Sequence, residues 1–472
     1  MARRWKVLLV TAVGVFMSFL DTTIVNIAFP DIHASFPGSS LNGLSWILNA
    51  YNVVFAAALI PAGRLADRFG RRRFYFLGVL VFLAASVACG AAGSVDMLIA
   101  ARGVQAVGGA MLVPASLGLL LPEFPLERRA TATAIWGSTG AIAAATGPSL
   151  GGVLVDWQGW RAVFFVNLLI GLPALIPARR LLRESREPNT AVPDLVGVAL
   201  LGVGVGALAL AIVQGPQWGW GSARIVGAFV ASAVLLAIVI GRSMRQPTPA
   251  IELSLFSIRS FAVANAGNFV FAIGFFAQLL CNVFFLTGVW HYSALRAGVA
   301  LTPGPLAAAL VAPLGGYFSD RFGQRVVVVP GALLFGVGAL LYALEIGARP
   351  AYATEFLPAN IVAGVGIGLT FAGFSSAAVA ELPRSRYSTG SAINNCIRQI
   401  GAVVGTSTLI VVLGTPSPAH ALHAFHRAWA LIALTGALAA TAGLGLGRVR
   451  ARHGDESPAV ATPLLTEQRS TT

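Results

Sequence analysis

Apolar residues fill this chain in long blocks separated by short polar breaks. A membrane-spanning helix needs about 20 mostly apolar residues. Fourteen runs approach or exceed that length, at 7–30, 44–63, 74–93, 97–121, 131–155, 162–178, 195–213, 224–241, 261–287, 297–318, 326–346, 354–377, 388–413 and 428–447. The pattern predicts an all-α polytopic membrane protein with fourteen spans. The apolar stretch before Asp21 has no small-residue cleavage site after it, so it reads as a first span and not as a signal peptide. The tail at 448–472 is polar and contains proline, and is predicted to be disordered.

Composition agrees with the blocks. The chain is 56% hydrophobic and 11% charged, against about 25% charged residues in a soluble domain. Its net charge of +14 could suggest nucleic acid, but placement argues otherwise. With the N-terminus in the cytoplasm, 25 of the 32 basic residues fall on the cytoplasmic side and 5 on the outer side. The other two, Arg102 and Arg398, lie within spans. Basic residues retained on the inner side fix topology. The expectation is a plasma-membrane protein with both termini cytoplasmic. Cys89, Cys281 and Cys396 all sit in apolar runs and offer no disulfide framework or metal site.

The breaks repeat. Residues 63–73 read GRLADRFGRRR and residues 316–326 read GYFSDRFGQRV, identical at 6 of 11 positions. Gly63, Asp67, Arg68, Gly70 and Arg72 align with Gly316, Asp320, Arg321, Gly323 and Arg325, while Arg71 meets Gln324. A second pair, EFPLERRATATAI at 123–135 and ELPRSRYSTGSAI at 381–393, lies at nearly the same offset. The same loops recur on the same side, so the repeat is parallel. It divides the chain into a six-helix bundle at 1–180, an inserted helix pair with linkers at 181–259, a second six-helix bundle at 260–447 and the tail at 448–472. Two such bundles related by an axis along the membrane normal are a transporter architecture, with the substrate path between them near the midplane.

Polar residues inside spans are costly and mark function or a partner. Asp21 is the sole carboxylate well inside one. Thr11, Ser18, Asp21, Thr22 and Asn26 share one helical arc, which predicts the wall of a water-filled cavity. A carboxylate there can take up and return a proton. Arginine stays protonated, and no Lys or His lies deep in a span, so elimination also points to Asp21. A structural Asp satisfied by a neighbouring helix is the competing reading. Arg102 shares a face with Gln105, Gly109 and Ser116, and its fork suits a carboxylate, a carbonyl or an anionic substrate group as well as a purely structural tie. The fifth span aligns Gly137, Gly140, Ala144, Gly147 and Gly151 on a narrow face, followed by Pro148 and Gly152, which predicts close helix packing with a bend. Asn265, Asn268, Gln278 and Asn282 in the ninth span, and Asn394, Asn395, Arg398 and Gln399 in the thirteenth, are candidates either for the opposite cavity wall or for interhelical hydrogen bonding. His420, His423 and His426 fall in an outer loop and read as solvated.

These motifs together resemble the major facilitator superfamily, and within it the 14-spanning drug:proton antiporters. The resemblance runs to about residue 447. GRLADRFGRRR is similar to the signature loop between helices 2 and 3. LDTTIVNIAFP (20–30) resembles the first-helix motif of the 14-span exporters. LIAARGVQAVGGA (98–110) is similar to the fourth-helix motif, GSTGAIAAATGPSLGG (137–152) to the fifth-helix antiporter motif and WRAVFFVN (160–167) to the opening of helix 6. The resemblance implies the major facilitator fold, two six-helix bundles plus two inserted helices. It implies proton-coupled export of amphipathic small molecules by alternating access, with Asp21 as the first-helix acid and Arg102 linked to proton transfer. Asp67 and the arginines after it would form a latch between the halves, and the fifth-helix bend would set transport direction. No cofactor is implied beyond the proton gradient, and the expected partners are protons, a small-molecule substrate and lipid, with the monomer as the working unit. One departure stands out: no acidic residue lies deep in the second half, since Glu345 and Glu355 sit near the outer surface. A dedicated exporter of one endogenous metabolite fits the same residues. A membrane-embedded enzyme would need clustered His, Cys or carboxylates within spans.

Overall fold

In hydrocarbon every backbone N–H and C=O must be satisfied by the chain itself, so apolar runs of this length close into helices. The computed structural model describes residues 3–125, 128–187, 194–382, 386–414 and 418–446 and, among them, contains helices and turns without a strand. The first six helices are α1 (Arg3–Ser35), α2 (Leu41–Phe69), α3 (Arg71–Gly90), α4 (Val95–Leu120), α5 (Arg129–Gln158) and α6 (Ala162–Leu181). A pair follows, α7 (Leu195–Trp218) and α8 (Ala223–Arg245). The remainder are α9 (Arg259–Gly288), α10 (Ala294–Leu301), α11 (Pro303–Phe322), α12 (Arg325–Glu345), α13 (Leu357–Ala380), α14 (Tyr387–Leu413) and α15 (Pro418–Leu444). Thirteen helical segments of the described residues are long and apolar enough to cross a membrane, with α10 and α11 counted as one. The fourteenth is α5, which is 30 residues long but diluted by glycine, threonine and serine.

Two expectations change. The run at 297–318 is not one continuous helix: it breaks at Thr302–Pro303, because proline cannot donate to the preceding turn. His420, His423 and His426 lie inside α15 and not in a loop. The tail at 448–472 and parts of the second repeat, 126–127 and 383–385, lie outside the described residues.

Packing repeats along the chain. α1 packs on α4, α5 and α6, as α9 does on α13, α14 and α15. α4 lies against α2 and α3, as α13 does against α11 and α12. The two groups meet where α2 packs on α14 and where α5 packs on α10 and α11. α7 rides on the α2–α14 seam and carries α8 on its far side. Asn42 ties α2 to α7 by donating to the Val213 carbonyl at 2.8 Å. Val226, Val230, Val234, Ile238 and Met244 of α8 are exposed, as befits a face turned to lipid tails.

The loops supply the end caps. Ser40, Ser94, Ser222 and Ser293 accept from the backbone N–H three residues on, at the starts of α2, α4, α8 and α10. Asp194 caps α7 through Gly197 N at 3.0 Å and also receives Arg242 Nε and Nη2 at 3.0 and 2.7 Å. Arg242 beside it holds the Asp194 carboxyl below its ordinary value. A depressed folded-state value means stabilisation that is present above the unfolded carboxyl range and lost as pH falls through the folded one. Asp194→Ala should therefore lower stability by about 1 kcal/mol at neutral pH. Wild type should lose that advantage as pH drops below about 4. Thermal unfolding of both proteins at neutral and acid pH checks it; an equal gap at both would refute the assignment.

Candidate functional site

Asp21 lies mid-way along α1 and has no exposed surface, and Arg102 of α4 is 1% exposed. Arg102 Nη1 pairs with Asp21 Oδ2. The other carboxylate oxygen receives Gln105 Nε2 at 2.8 Å and Asn167 Nδ2 of α6 at 3.4 Å. Ser86 of α3 accepts from both amides, at 2.8 and 3.3 Å. Arg102 also donates to Gln105 Oε1 at 2.6 Å and, through Nε, to the Ile47 carbonyl of α2 at 3.2 Å. Its guanidinium stands 4.2 Å from the centre of the Tyr51 ring, a contact that stabilises a desolvated cation. Arg102 and Gln105 are one helical turn apart, so α4 aims both at the same carboxylate. Each partner removed alone would strand a charge, which typically costs about 3–5 kcal/mol.

The cluster corrects one expectation. Asp21 does not share a cavity wall with Thr22 and Asn26: it points into the first bundle, among α2, α3, α4 and α6. Thr22 is half-buried, and Asn26 donates back to the Thr22 carbonyl at 2.8 Å. Ser86, Asn167 and Tyr51 escaped the sequence reading. Asn167 had a signal, as a lone amide in an apolar span, whereas a serine or tyrosine is unremarkable there.

The second-half candidates separate into two groups. Asn265, Asn268 and Asn394 are buried and bind one another: Asn394 Nδ2 donates to Asn265 Oδ1 at 3.0 Å and Asn268 Nδ2 to Asn394 Oδ1 at 3.1 Å. They rivet α9 to α14. Asn282 accepts from Trp429 Nε1 at 2.9 Å, and Gln278 is buried nearby. Asn395 and Arg398 differ, being half-buried mid-way along α14, with Arg398 Nη2 donating to Asn395 Oδ1 at 2.6 Å.

The glycines of α5 make the close approaches. A Cβ on Gly147 or Gly151 would overlap Thr23 or Ile27 of α1, and one on Gly152 would lie 2.5 Å from the Ala294 carbonyl oxygen of α10. Gly298 of α10 packs on the Pro148 carbonyl in return. Gly137 belongs to no such contact, with nothing within 4 Å of its Cβ position. Asn49 Nδ2 meets Ser407 Oγ at 3.1 Å, and the Phe29 and Phe284 rings are 5.4 Å apart. All these contacts between the two groups of helices lie at the end away from the arginine-rich loop.

The arginine-rich loop turns at Gly70, whose φ of +119° few side chains adopt. A Cβ there would also meet the Glu184 carboxylate at 2.7 Å. Glu184 accepts from the N–H groups of Arg72 and Arg73 at 3.0 and 3.3 Å, capping α3. Asp67 Oδ1 receives Arg71 Nε at 2.6 Å, Arg71 Nη2 reaches Glu187 Oε1 at 2.9 Å, and Glu187 N donates to the Asp67 carbonyl at 2.7 Å. These bonds bind the α2–α3 loop to the segment after α6, where a bridge between the two halves was expected. Glu184 and Glu187 lie in a stretch without helical period, which hid them in the sequence. The second copy is not equivalent: Gly323 repeats the turn at φ +94°, but Arg321 donates to Tyr317 on its own helix at 3.0 Å. The side chain of Asp320 lies outside the described residues. Asp67→Asn should slow transport about tenfold by weakening the Arg71 clamp, with expression and substrate affinity retained. Wild-type turnover in vesicles would leave the loop only its topological role.

Comparison with known proteins adds a further finding. The sequence pattern of the Major Facilitator Superfamily matches residues 11–406 and, in a second alignment, 264–467. The chain is 35% identical over 407 residues to multidrug resistance protein Stp of Mycobacterium tuberculosis (strain CDC 1551 / Oshkosh), covering 86% of this chain and 75% of that one. It is 34% identical to a probable actinorhodin transporter of Streptomyces coelicolor, covering 88% and 72%. Methylenomycin A resistance protein of Bacillus subtilis is 32% identical, with 86% and 87% covered. A crystal structure of peptide transporter POT with sulfate superposes with TM-score 0.64 at 17% identity, covering 94% and 96%, a likeness of fold.

Proposed function

Since the chain belongs to the Major Facilitator Superfamily, we propose that it is a proton-coupled exporter of amphipathic small molecules working by alternating access. Bundles 1–180 and 260–447 rock about a path between them, and 181–259 serves as a peripheral helix pair. The protein acts as a monomer in the plasma membrane with both termini cytoplasmic. It draws on the proton gradient, uses no cofactor and makes or breaks no covalent bond in its substrate. The relatives named for multidrug resistance, for actinorhodin and for methylenomycin A support export of drugs or antibiotics.

The observation that carries the reading is the Asp21–Arg102 pair, sealed inside a span. With both charged, the pair is neutral and its hydrogen bonds are made. A proton on Asp21 removes the counter-charge and leaves Arg102 alone in a low dielectric, which is strongly unfavourable. That cost is relieved by moving α1 against α4, and α1 also carries the face that α5 packs on through Gly147 and Gly151. Proton binding at one face thereby biases the equilibrium between two packed states, as coupling requires. The contacts at the end away from the arginine-rich loop fit a state closed to the outside.

The test is purified protein in vesicles with an imposed pH gradient, screened against cationic, neutral and anionic aromatic compounds. Accumulation of at least one compound against its gradient, abolished by a protonophore, is the expected result. Accumulation independent of the proton gradient would overturn the coupling. The breadth of the panel transported decides between a multidrug pump and a single-metabolite exporter.

A further inference from the structure

Two arginines lie within spans, and they are differently furnished. Arg102 has a carboxylate, a side-chain amide, a backbone carbonyl and the faces of Tyr51 and Phe164. That is a complete set for a guanidinium in hydrocarbon: counter-charge, acceptors and ring faces. Arg398 has the amide of Asn395 and two ring faces, Phe19 of α1 at 5.7 Å and Phe371 of α13 at 5.6 Å. Among the described residues no carboxylate pairs with it. Of that set it lacks the backbone carbonyl and the counter-charge, and the counter-charge is the larger loss for a guanidinium in hydrocarbon.

Its position is as telling as its company. Phe19 belongs to the first bundle and Phe371 to the second, so Arg398 stands between them, near the middle of α14. Phe19 also rests on Gly140 of α5. Asp21, two residues along α1, points about 200° away around the helix, into the first bundle. α1 therefore separates a balanced charge pair on one side from an unbalanced cation on the other. Asp21 cannot neutralise Arg398 without leaving Arg102. Arg398 and Asn395 are both half-buried and each keeps part of its surface uncovered. A guanidinium offers paired N–H donors to a carboxylate or sulfonate, and aromatic faces on either side suit a flat apolar body.

We propose that Arg398 is the anion-recognition residue of the substrate path, and that the molecules carried are planar aromatic compounds bearing an acidic group ionised at neutral pH. This rests on the exporter reading above and narrows its substrate class. Asn395 orients the guanidinium, while Phe19 and Phe371 flank the ring system of the ligand.

The test uses three probes of one shape: naphthalene-2-sulfonate, its neutral sulfonamide and 2-naphthylmethylammonium. Binding to the purified wild-type protein is measured by calorimetry, and proton-driven uptake in vesicles. Wild type should bind the sulfonate roughly 10–100-fold tighter than the sulfonamide, the worth of hydrogen bonds to a charged group. Arg398→Gln should erase that preference while leaving sulfonamide affinity within about twofold. Arg398→Lys should keep part of it, since the charge remains without the fork. Absence of sulfonate binding, a wild-type preference for the ammonium or the sulfonamide, or an equal loss of all three probes in Arg398→Gln would overturn the proposal. If Arg398→Gln does not fold, the wild-type ranking and Arg398→Lys decide. Proton-driven uptake without an anion preference would sink this inference and spare the exporter. Selective sulfonate binding without proton-driven uptake of any probe would do the reverse.

Discussion

Asp21→Asn should abolish accumulation of substrate against its gradient, a loss of at least about 100-fold, while downhill exchange persists. The amide cannot take up and release a proton, so the bias between the two packed states no longer depends on the gradient. Seen in sequence alone, the substitution looks gentle, because an amide is cheaper to bury than a charge. The structure reverses that estimate. Arg102 would be left without its counter-charge in a site where it is 1% exposed, and about 3–5 kcal/mol of stability should go with it. The double variant Asp21→Asn/Arg102→Gln should recover much of that stability, since both charges leave together. It should recover none of the uphill transport. Thermal unfolding and vesicle uptake on the same three proteins separate the two effects. Full uphill transport in either variant would remove Asp21 from the coupling path.

Gly152→Val should hold the protein open at the end where the two bundles now meet. The added Cβ would lie 2.5 Å from the Ala294 carbonyl oxygen and 2.7 Å from Leu295 Cα. Both are backbone atoms of α10, which cannot swing aside as a side chain can. Overpacking of this kind typically costs about 1–3 kcal/mol, and it is charged only to the state in which α5 touches α10. The equilibrium should then shift about 5–150-fold toward the other state. Spin labels at Gly38 and Arg349, both exposed on loops at that end, should report longer distances. Turnover should fall in proportion. Gly137→Val is the control, because nothing lies within 4 Å of its Cβ position; the same shift there would mean that the effect is not local packing.

The fold was legible because the membrane writes it in runs of apolar residues. Helix number, order and the parallel repeat follow from run length and from the copied glycine turn, Gly70 and Gly323. The break at Thr302–Pro303 is hidden in run length, since the apolar run continues through it, and its signal is Pro303 itself. The site was legible in its members and not in its partners. Asp21, Arg102 and Gln105 announce themselves as polar residues in spans. A helical arc of about 140°, however, does not decide which edge faces a cavity, and Asp21 sits on the edge turned inward. Asn265, Asn268 and Asn394 showed the same ambiguity and resolved to hydrogen bonds between helices. Glu184 and Glu187 could not be placed, because their roles depend on a segment after α6 returning to the α2–α3 loop.

Coupling through Asp21 is tested most directly by the proton itself. Purified protein in weakly buffered detergent solution is mixed with a saturating compound that the vesicle screen has identified as transported, and the pH of the solution is followed. The account predicts that wild type exchanges a proton with solution when substrate binds and that Asp21→Asn exchanges none. An Asp21→Asn protein that binds the compound and still exchanges a proton as wild type does would contradict it.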